Sequence, residues 1–166
     1  MPTSENIKSE IERLLAKARA LTPKDFLDPL PPDESLGGVP AWREFEHQIW
    51  AIGEDIRRLL LKNPRLRSDV RLQVGIMDVA CDRRAHRGRQ PFVMLLGYRS
   101  CAGYSGRLAG HLDDSFVNGH VISTLYKMRA SGHSRAIRAF LVSKVTWVRD
   151  EAKRYLAWDG ASSKPL

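Results

Sequence analysis

The stretch Thr146-Trp-Val-Arg-Asp-Glu-Ala-Lys-Arg-Tyr-Leu156 repeats the spacing of an earlier stretch of the chain. Each stretch has three apolar residues spaced four apart: Val148, Ala152 and Leu156 in the later one, and Val117, Val121 and Leu125 in the earlier one. Val117 and Val148 are 31 residues apart. A period of this length is typical of stacked helical units, in which each unit buries its apolar stripe against the next. The pattern therefore predicts an array of helix pairs, an architecture that mostly binds other molecules.

The rest of the chain also has helical spacing, interrupted by prolines and glycines. An apolar stripe predicts a first helix that begins with Ser4 as N-cap and ends at Thr22-Pro23. Five prolines and Gly37-Gly38 exclude a helix from residues 22–40 and predict an extended, proline-rich strap. A longer helix follows and ends near Lys62.

A third helix is predicted after Ser68-Asp69, with an apolar face formed by four residues: Val70, Val74, Met77 and Cys81. No stretch alternates cleanly enough to predict a strand. We therefore predict one domain in total, with an N-terminal helix at 1–21, the strap at 22–40, a helical-repeat domain at 41–160 and a tail at 161–166.

The motif Val148-Arg149-x-x-Ala152-x-x-x-Leu156 resembles HEAT-like (armadillo-type) helical repeats, most clearly over residues 112–158. In the preceding unit Asp114 and Val117 match, whereas Asn118 and Val121 replace the arginine and the alanine. Val70-Arg71-x-x-Val74 resembles a third, degenerate copy. The resemblance implies an all-α fold, here a short α-solenoid of HEAT-like helix pairs with an added N-terminal helix and strap. It also implies that residues on the concave face meet the partner.

Charge is distributed unevenly along the chain. The formal net charge is +8, but residues 1–55 carry 6 Lys/Arg and 11 Asp/Glu, whereas residues 56–166 carry 21 and 8. The basic part either faces an acidic partner or nucleic acid, or is covered by the acidic N-terminal part.

Two groups of basic residues are candidate partner-binding sites, because guanidinium and ammonium groups bind carboxylates and phosphates. The first is a run around His86, formed by Arg83, Arg84, Arg87 and Arg89; the second spans the last two predicted helices, with Arg135, Arg138, Lys153 and Arg154. Trp147, Tyr155 and Trp158 lie within the second basic stretch, where aromatic rings either pack between helices or stack on bases. Trp158 is predicted to be the exposed one.

The sequence predicts no catalytic residues, no metal and no cofactor. His111-x-Asp113-Asp114 with His120 resembles a ligand set, but helix capping by Asp113 or Asp114, with His111 ending the preceding helix, explains the pattern better. A nucleophile elbow, a phosphate-binding loop and a dinucleotide fingerprint are all absent from the sequence. Cys81 and Cys101 are expected to be buried thiols, and few cysteines with no signal peptide predict a cytoplasmic location. No membrane partner is predicted.

These observations predict a non-catalytic adaptor that uses a basic helical-repeat surface to bind a protein with an acidic patch. A bacterial toxin-neutralising (immunity) protein is one specific form of that function. The alternative is a nucleic-acid-binding HEAT-like protein, similar in charge and repeat type to DNA alkylation-repair glycosylases. The sequence leaves the oligomeric state open.

Overall fold

Helices make up most of the structure, which is a computed structural model that describes residues 3–162. Over these residues, eight α-helices and several short 3₁₀ segments account for most of the chain, and the strands are two residues long. The predicted all-α class is therefore confirmed. The chain divides into two compact units, Met1–Pro91 and Phe92–Leu166. Their border falls inside the range 41–160, and the predicted domain boundaries stay predictions.

Three α-helices form most of the first unit: α1 (Ser4–Leu21), α2 (Glu44–Lys62) and α3 (Val70–Ala80). A 3₁₀ segment, Pro64–Ser68, joins α2 to α3. The cap of α1 is Thr3, not Ser4 as predicted, because the Thr3 hydroxyl accepts a hydrogen bond from the Asn6 amide at 3.3 Å.

The predicted apolar face of the third helix is confirmed for Met77, which is buried, and is wrong for the two valines. Val70 is 64% exposed and Val74 is 41% exposed. With Met77, the buried residues of α3 are Leu72, Gln73, Ile76, Val79 and Ala80. The two valines of the third, degenerate repeat copy therefore do not pack in the core as Val117 and Val148 do.

The strap, residues 22–40, contains the sheet. Its strands β1 (Pro32–Asp33) and β2 (Val39–Pro40) pair antiparallel around a 3₁₀ turn, Glu34–Leu36. Gly37 ends that turn at φ +71°, a left-handed conformation that glycine adopts without steric cost. Two-residue strands are too short for alternation to predict them.

The second unit contains the five remaining α-helices, and α4 spans the border between the units. They are α4 (Gln90–Leu95), α5 (Ser105–Ala109), α6 (Asn118–Met128), α7 (Ser134–Ile137) and α8 (Thr146–Ser162). The 3₁₀ segments Arg99–Tyr104 and Arg138–Val142 complete it. The predicted tail overlaps the end of α8, and residues 163–166 lie outside the described residues.

Helices α6 and α8 pack against each other in parallel. At their N-terminal ends the Trp147 indole lies on Gly119, and at their C-terminal ends the Tyr126 and Trp158 rings are 6.2 Å apart. Five of the six apolar residues that defined the repeated spacing are buried: Val117, Val121, Leu125, Val148 and Ala152. Leu156 is half-buried.

Candidate functional site

The arginine run at 83–89 folds into the first unit as a 3₁₀ segment, Arg83–Arg89, kinked at His86. Arg89 is fully buried and donates hydrogen bonds to the carbonyls of His86 and Ala80 at 3.2 and 3.1 Å. Arg87 is buried too, and its Nε lies 3.3 Å from Oε1 of the buried Glu46. Neither guanidinium is presented to solvent as a docking group.

This run also holds the strap in place. Arg84 donates to the Lys24 carbonyl of the strap at 2.8 Å, and Arg87 to the carbonyl of Ala41, directly after the strap, at 2.7 Å. The Phe26 ring of the strap stacks on the His86 imidazole at 5.0 Å. The predicted partner-binding role is therefore wrong for Arg87 and Arg89, because both are buried and bond to groups inside the first unit. It stays a prediction for the half-buried Arg83 and the exposed Arg84.

The second predicted group lies on the second unit, and all four of its members are exposed. Lys153 pairs with Asp150 at 3.6 Å and Arg154 with Glu151 at 3.0 Å, each one helical turn away. Within the described residues Arg135 and Arg138 have no ion pair. Their role in binding stays a prediction.

An open groove of about 730 Å³ lies beside Arg154 on the same unit. Its lining consists of Arg99, Ala102, Tyr126, Met128, Arg129 and Trp158, and we call it the arginine–aromatic groove. Arg154 is not part of this lining, but its guanidinium lies near the groove, 5.9 Å from the Tyr126 ring centre. The sequence prediction had placed Trp158 in solvent, whereas its ring is half-buried against Tyr155 and Tyr126.

Arg129 is the central residue of this groove. It follows α6 at φ +57°, a left-handed conformation that costs a non-glycine residue roughly 1–2 kcal/mol. Its guanidinium lies 4.3 Å from the Tyr126 ring centre and 5.4 Å from that of Trp158. Across the described residues, neither Arg129 nor Arg99 has an ion pair or a side-chain hydrogen bond, so their N–H donors face the groove or solvent.

Sequence reasoning missed Arg99, Tyr126 and Arg129. The spacing of Tyr126 and Arg129, three apart at the end of a helix, was the available signal for a cation–π contact. Arg99 is far from both in sequence, and only the fold brings it there.

A second cavity, of about 310 Å³, lies where α6 and α8 begin. Its lining consists of residues 115–120 together with Ser143, Lys144, Val145, Trp147 and Val148, and we call it the Trp147 pocket. The His120 and Trp147 ring centres are 5.0 Å apart. Burial, and to a smaller extent Lys127, holds the pKa of His120 below its ordinary value, so this imidazole is neutral at pH 7.

The histidines and acids that resembled metal ligands do not assemble. The Asp114 carboxylate accepts a hydrogen bond from the Phe116 amide at 2.9 Å, which forms a local turn before α6, and His120 contacts Trp147. Across residues 3–162 there is no group of three or more His, Cys, Asp or Glu that could hold a metal ion. Cys101 is buried, and burial raises the pKa of its thiol, which makes it a poor nucleophile.

The arrangement on the second unit therefore suits binding through charge and shape. The groove offers guanidinium donors on an aromatic base, and the Trp147 pocket offers an apolar cavity beside a lysine. No helix within the described residues has the length and hydropathy to span a bilayer. Comparisons with protein-family models, with curated proteins and with solved structures found no match to this chain.

Proposed function

We propose that this chain is a non-catalytic binding protein of HEAT-like helix pairs whose arginine–aromatic groove docks an acidic segment of another protein. The parallel packing of α6 and α8 supports the repeat assignment, because equivalent helices of stacked units run in the same direction. The chain returns between them through α7 and the 3₁₀ segment Arg138–Val142. Together these elements make one helix-pair period.

The position of Arg129 is the observation that carries the proposal. Glycine is the usual residue where a helix ends in a left-handed conformation, because it has no side chain to strain. Here the chain has an arginine instead. Stacking on Tyr126 and Trp158 recovers about 0.5–1 kcal/mol per exposed cation–π contact, which leaves little net gain in stability. A guanidinium held there without an ion pair is suited to an incoming carboxylate.

An acidic protein segment fits the groove better than a nucleic acid does. Base stacking needs an open aromatic face. The Tyr126 and Trp158 rings contact each other edge-on, and Arg129 covers both. The edges of the guanidinium groups remain available, and these pair bidentately with carboxylates.

The test is a binding titration with fluorescein-labelled deca-glutamate, followed by fluorescence anisotropy. We expect binding that weakens as salt rises, because the contacts are exposed and electrostatic. Arg99→Ala should weaken it about two- to fivefold, as expected for loss of one exposed pair. Arg71→Ala removes the same charge from the exposed face of α3 and should have a smaller effect. Equal effects of the two variants would mean that binding depends only on the net charge of the protein and not on the groove, which would overturn the proposal.

Arg129→Gly separates binding from stability. Glycine relieves the left-handed backbone, so the midpoint of thermal unfolding should stay the same or rise while the affinity for deca-glutamate falls. Single-stranded and duplex DNA of twenty nucleotides serve as competitors. Tighter binding to DNA than to deca-glutamate, with a steep salt slope, would favour the nucleic-acid reading over this one.

A further inference from the structure

The segment that leads into α8 exposes an unusual density of large apolar side chains. Four of its residues are well exposed: Leu141, Val142, Val145 and Trp147. Val142 is 86% exposed and Trp147 is 45% exposed. Scattered apolar residues are normal on a protein surface, but a contiguous patch with polar neighbours marks an interaction site. Two of the four, Val145 and Trp147, also line the Trp147 pocket.

The indole of Trp147 is held in a defined place. A Cβ on Gly119 would overlap the indole Cη2, so the ring rests directly on the α6 backbone. His120 contacts the indole ring as well, at 5.0 Å between ring centres. Arg149 holds the segment directly before Trp147 in place, because it donates to the Ser143 carbonyl at 2.6 Å and to the Thr146 hydroxyl at 3.2 Å. A partly exposed tryptophan in a preformed cavity is the usual anchor of a protein interface.

The size and polarity of the pocket define its ligand. At about 310 Å³ it is at the lower end of the range for small-molecule sites, and suits one large side chain. Gly119, Val117 and Val148 contribute apolar or backbone surface, and His120 is neutral, so an apolar group fits the interior.

The charge at the mouth of the pocket indicates which residues should flank the inserted side chain in the partner's sequence. The residues that line the pocket include Lys144 and no Asp or Glu. Lys144 is exposed, lines the pocket and, within residues 3–162, has no ion pair. A carboxylate next to the inserted side chain would pair with this ammonium group.

We propose that the Trp147 pocket takes a large apolar side chain from an acidic peptide segment of a partner protein, with a flanking carboxylate on Lys144. This inference rests on the proposed function for the class of partner and adds a specificity site to it. The pocket is concave, which favours an inserted side chain over a flat lipid surface.

The test compares three capped heptapeptides: Glu₃-Phe-Glu₃, Glu₃-Ser-Glu₃ and Lys₃-Phe-Lys₃. Binding is followed in ¹H–¹⁵N spectra of the full chain through the Trp147 indole and the Gly119 amide. We expect Glu₃-Phe-Glu₃ to bind at least fivefold more tightly than Glu₃-Ser-Glu₃ and to shift both signals. Lys₃-Phe-Lys₃ should bind more weakly than either acidic peptide.

Matched variants locate the effect. Trp147→Ser should abolish the advantage of the phenylalanine peptide, whereas Trp50→Ser, which removes a tryptophan of 40% exposure from α2, should keep it. Lys144→Glu changes an exposed side chain and should therefore keep the fold, so it tests the same site if Trp147→Ser does not fold. It should weaken Glu₃-Phe-Glu₃ binding more than Lys17→Glu does on α1.

The possible failures are distinguishable. Acidic peptides that bind at the arginine–aromatic groove with no gain from phenylalanine would overturn this inference and leave the proposed function intact. Absence of binding by both acidic peptides would sink the proposed function as well. Binding to phosphatidylglycerol vesicles through Trp147, with no preference for the phenylalanine peptide, would show the patch to be a membrane contact and overturn the peptide assignment.

Discussion

Arg84 and Arg87 stand three positions apart in one basic run, and the fold gives them different surroundings. Arg84 is exposed and bonded to Asp82 and to the Lys24 carbonyl. Arg87 is buried against Glu46, whose other oxygen accepts from the Arg43 amide at 2.7 Å. Because a buried carboxylate is destabilising without its ion pair, removal of Arg87 should lower the free energy of unfolding more than removal of Arg84 does.

Arg87→Ala should lower the free energy of unfolding by about 3–5 kcal/mol, since it leaves the Glu46 carboxylate buried without its ion pair. Urea unfolding followed by circular dichroism measures the loss. Arg84→Ala is the matched control from the same run and should cost much less, because its side chain is in solvent. Similar losses in the two variants would contradict the structural role assigned to Arg87.

Asp69 joins two helices through one carboxylate. It caps α3 by accepting from the Leu72 amide at 3.1 Å, and its Oδ2 lies 2.7 Å from Nζ of Lys8 on α1. The hydrogen bond from Lys8 is the main reason that the pKa of Asp69 is lowered. A lowered pKa in the folded protein means that the ionised carboxylate stabilises the fold above its unfolded pKa of about 3.9. That stabilisation is lost as the pH falls through the lowered folded pKa.

Asp69→Asn keeps a capping side chain and removes the charge, so it isolates this ionic contribution. The variant should be less stable than the wild type at pH 7, and the difference should vanish once the pH falls below the lowered pKa. Urea unfolding at pH 7, 5 and 3 follows the difference. Asp28→Asn, which removes an exposed carboxylate from the strap, is the matched control for the loss of one negative charge. A gap for Asp69→Asn that stays constant with pH would refute the ionic account.

At the scale of elements, the sequence predicted the helix ends, because these depend on neighbouring residues in the chain. The end of α1 at Thr22 and the end of α2 at Asn63 follow from prolines that cannot continue a helix. The full buried face of α3 could not be predicted in this way: Met77 is buried as predicted, but Val70 and Val74 have helical spacing and are exposed, because packing against α1 buries their neighbours. The groove was missed for a similar reason, since the backbone conformation of Arg129 has no signature in residue type.

Tyr155 connects α8 to the turn between α6 and α7. Its buried hydroxyl donates to the Ala130 carbonyl at 2.6 Å and accepts from the His133 amide at 3.2 Å. Tyr155→Phe leaves a carbonyl and an amide without this partner and should cost about 1–3 kcal/mol in the free energy of unfolding.

Urea unfolding measures this cost, with Tyr104→Phe as the control. The Tyr104 hydroxyl has no hydrogen bond within residues 3–162, so its removal should change stability little. Amide hydrogen exchange adds a local readout, because the His133 amide should exchange faster in Tyr155→Phe alone. Unchanged exchange at His133 would show that the tyrosine does not fix this turn.

The whole molecule contains two compact units, and each has an internal contact that a single substitution can disturb. In the first unit, a Cβ on Gly88 would lie 2.8 Å from the Glu46 carbonyl oxygen and 3.0 Å from the Ile49 Cβ. Gly88→Ala must therefore push the 83–89 segment away from α2, at a cost of about 1–3 kcal/mol. In the second unit, Tyr155→Phe removes the hydrogen bonds to the turn.

Because Gly88 and Tyr155 belong to different compact units, their effects should add. The free energy of unfolding of the double variant should equal the sum of the two single losses within about 0.5 kcal/mol. Urea unfolding of the four proteins in the cycle tests this. Where unfolding has two steps, Gly88→Ala should shift one step and Tyr155→Phe the other. A coupling free energy above about 1 kcal/mol, or a shift of the same step by both variants, would mean that the units do not unfold independently.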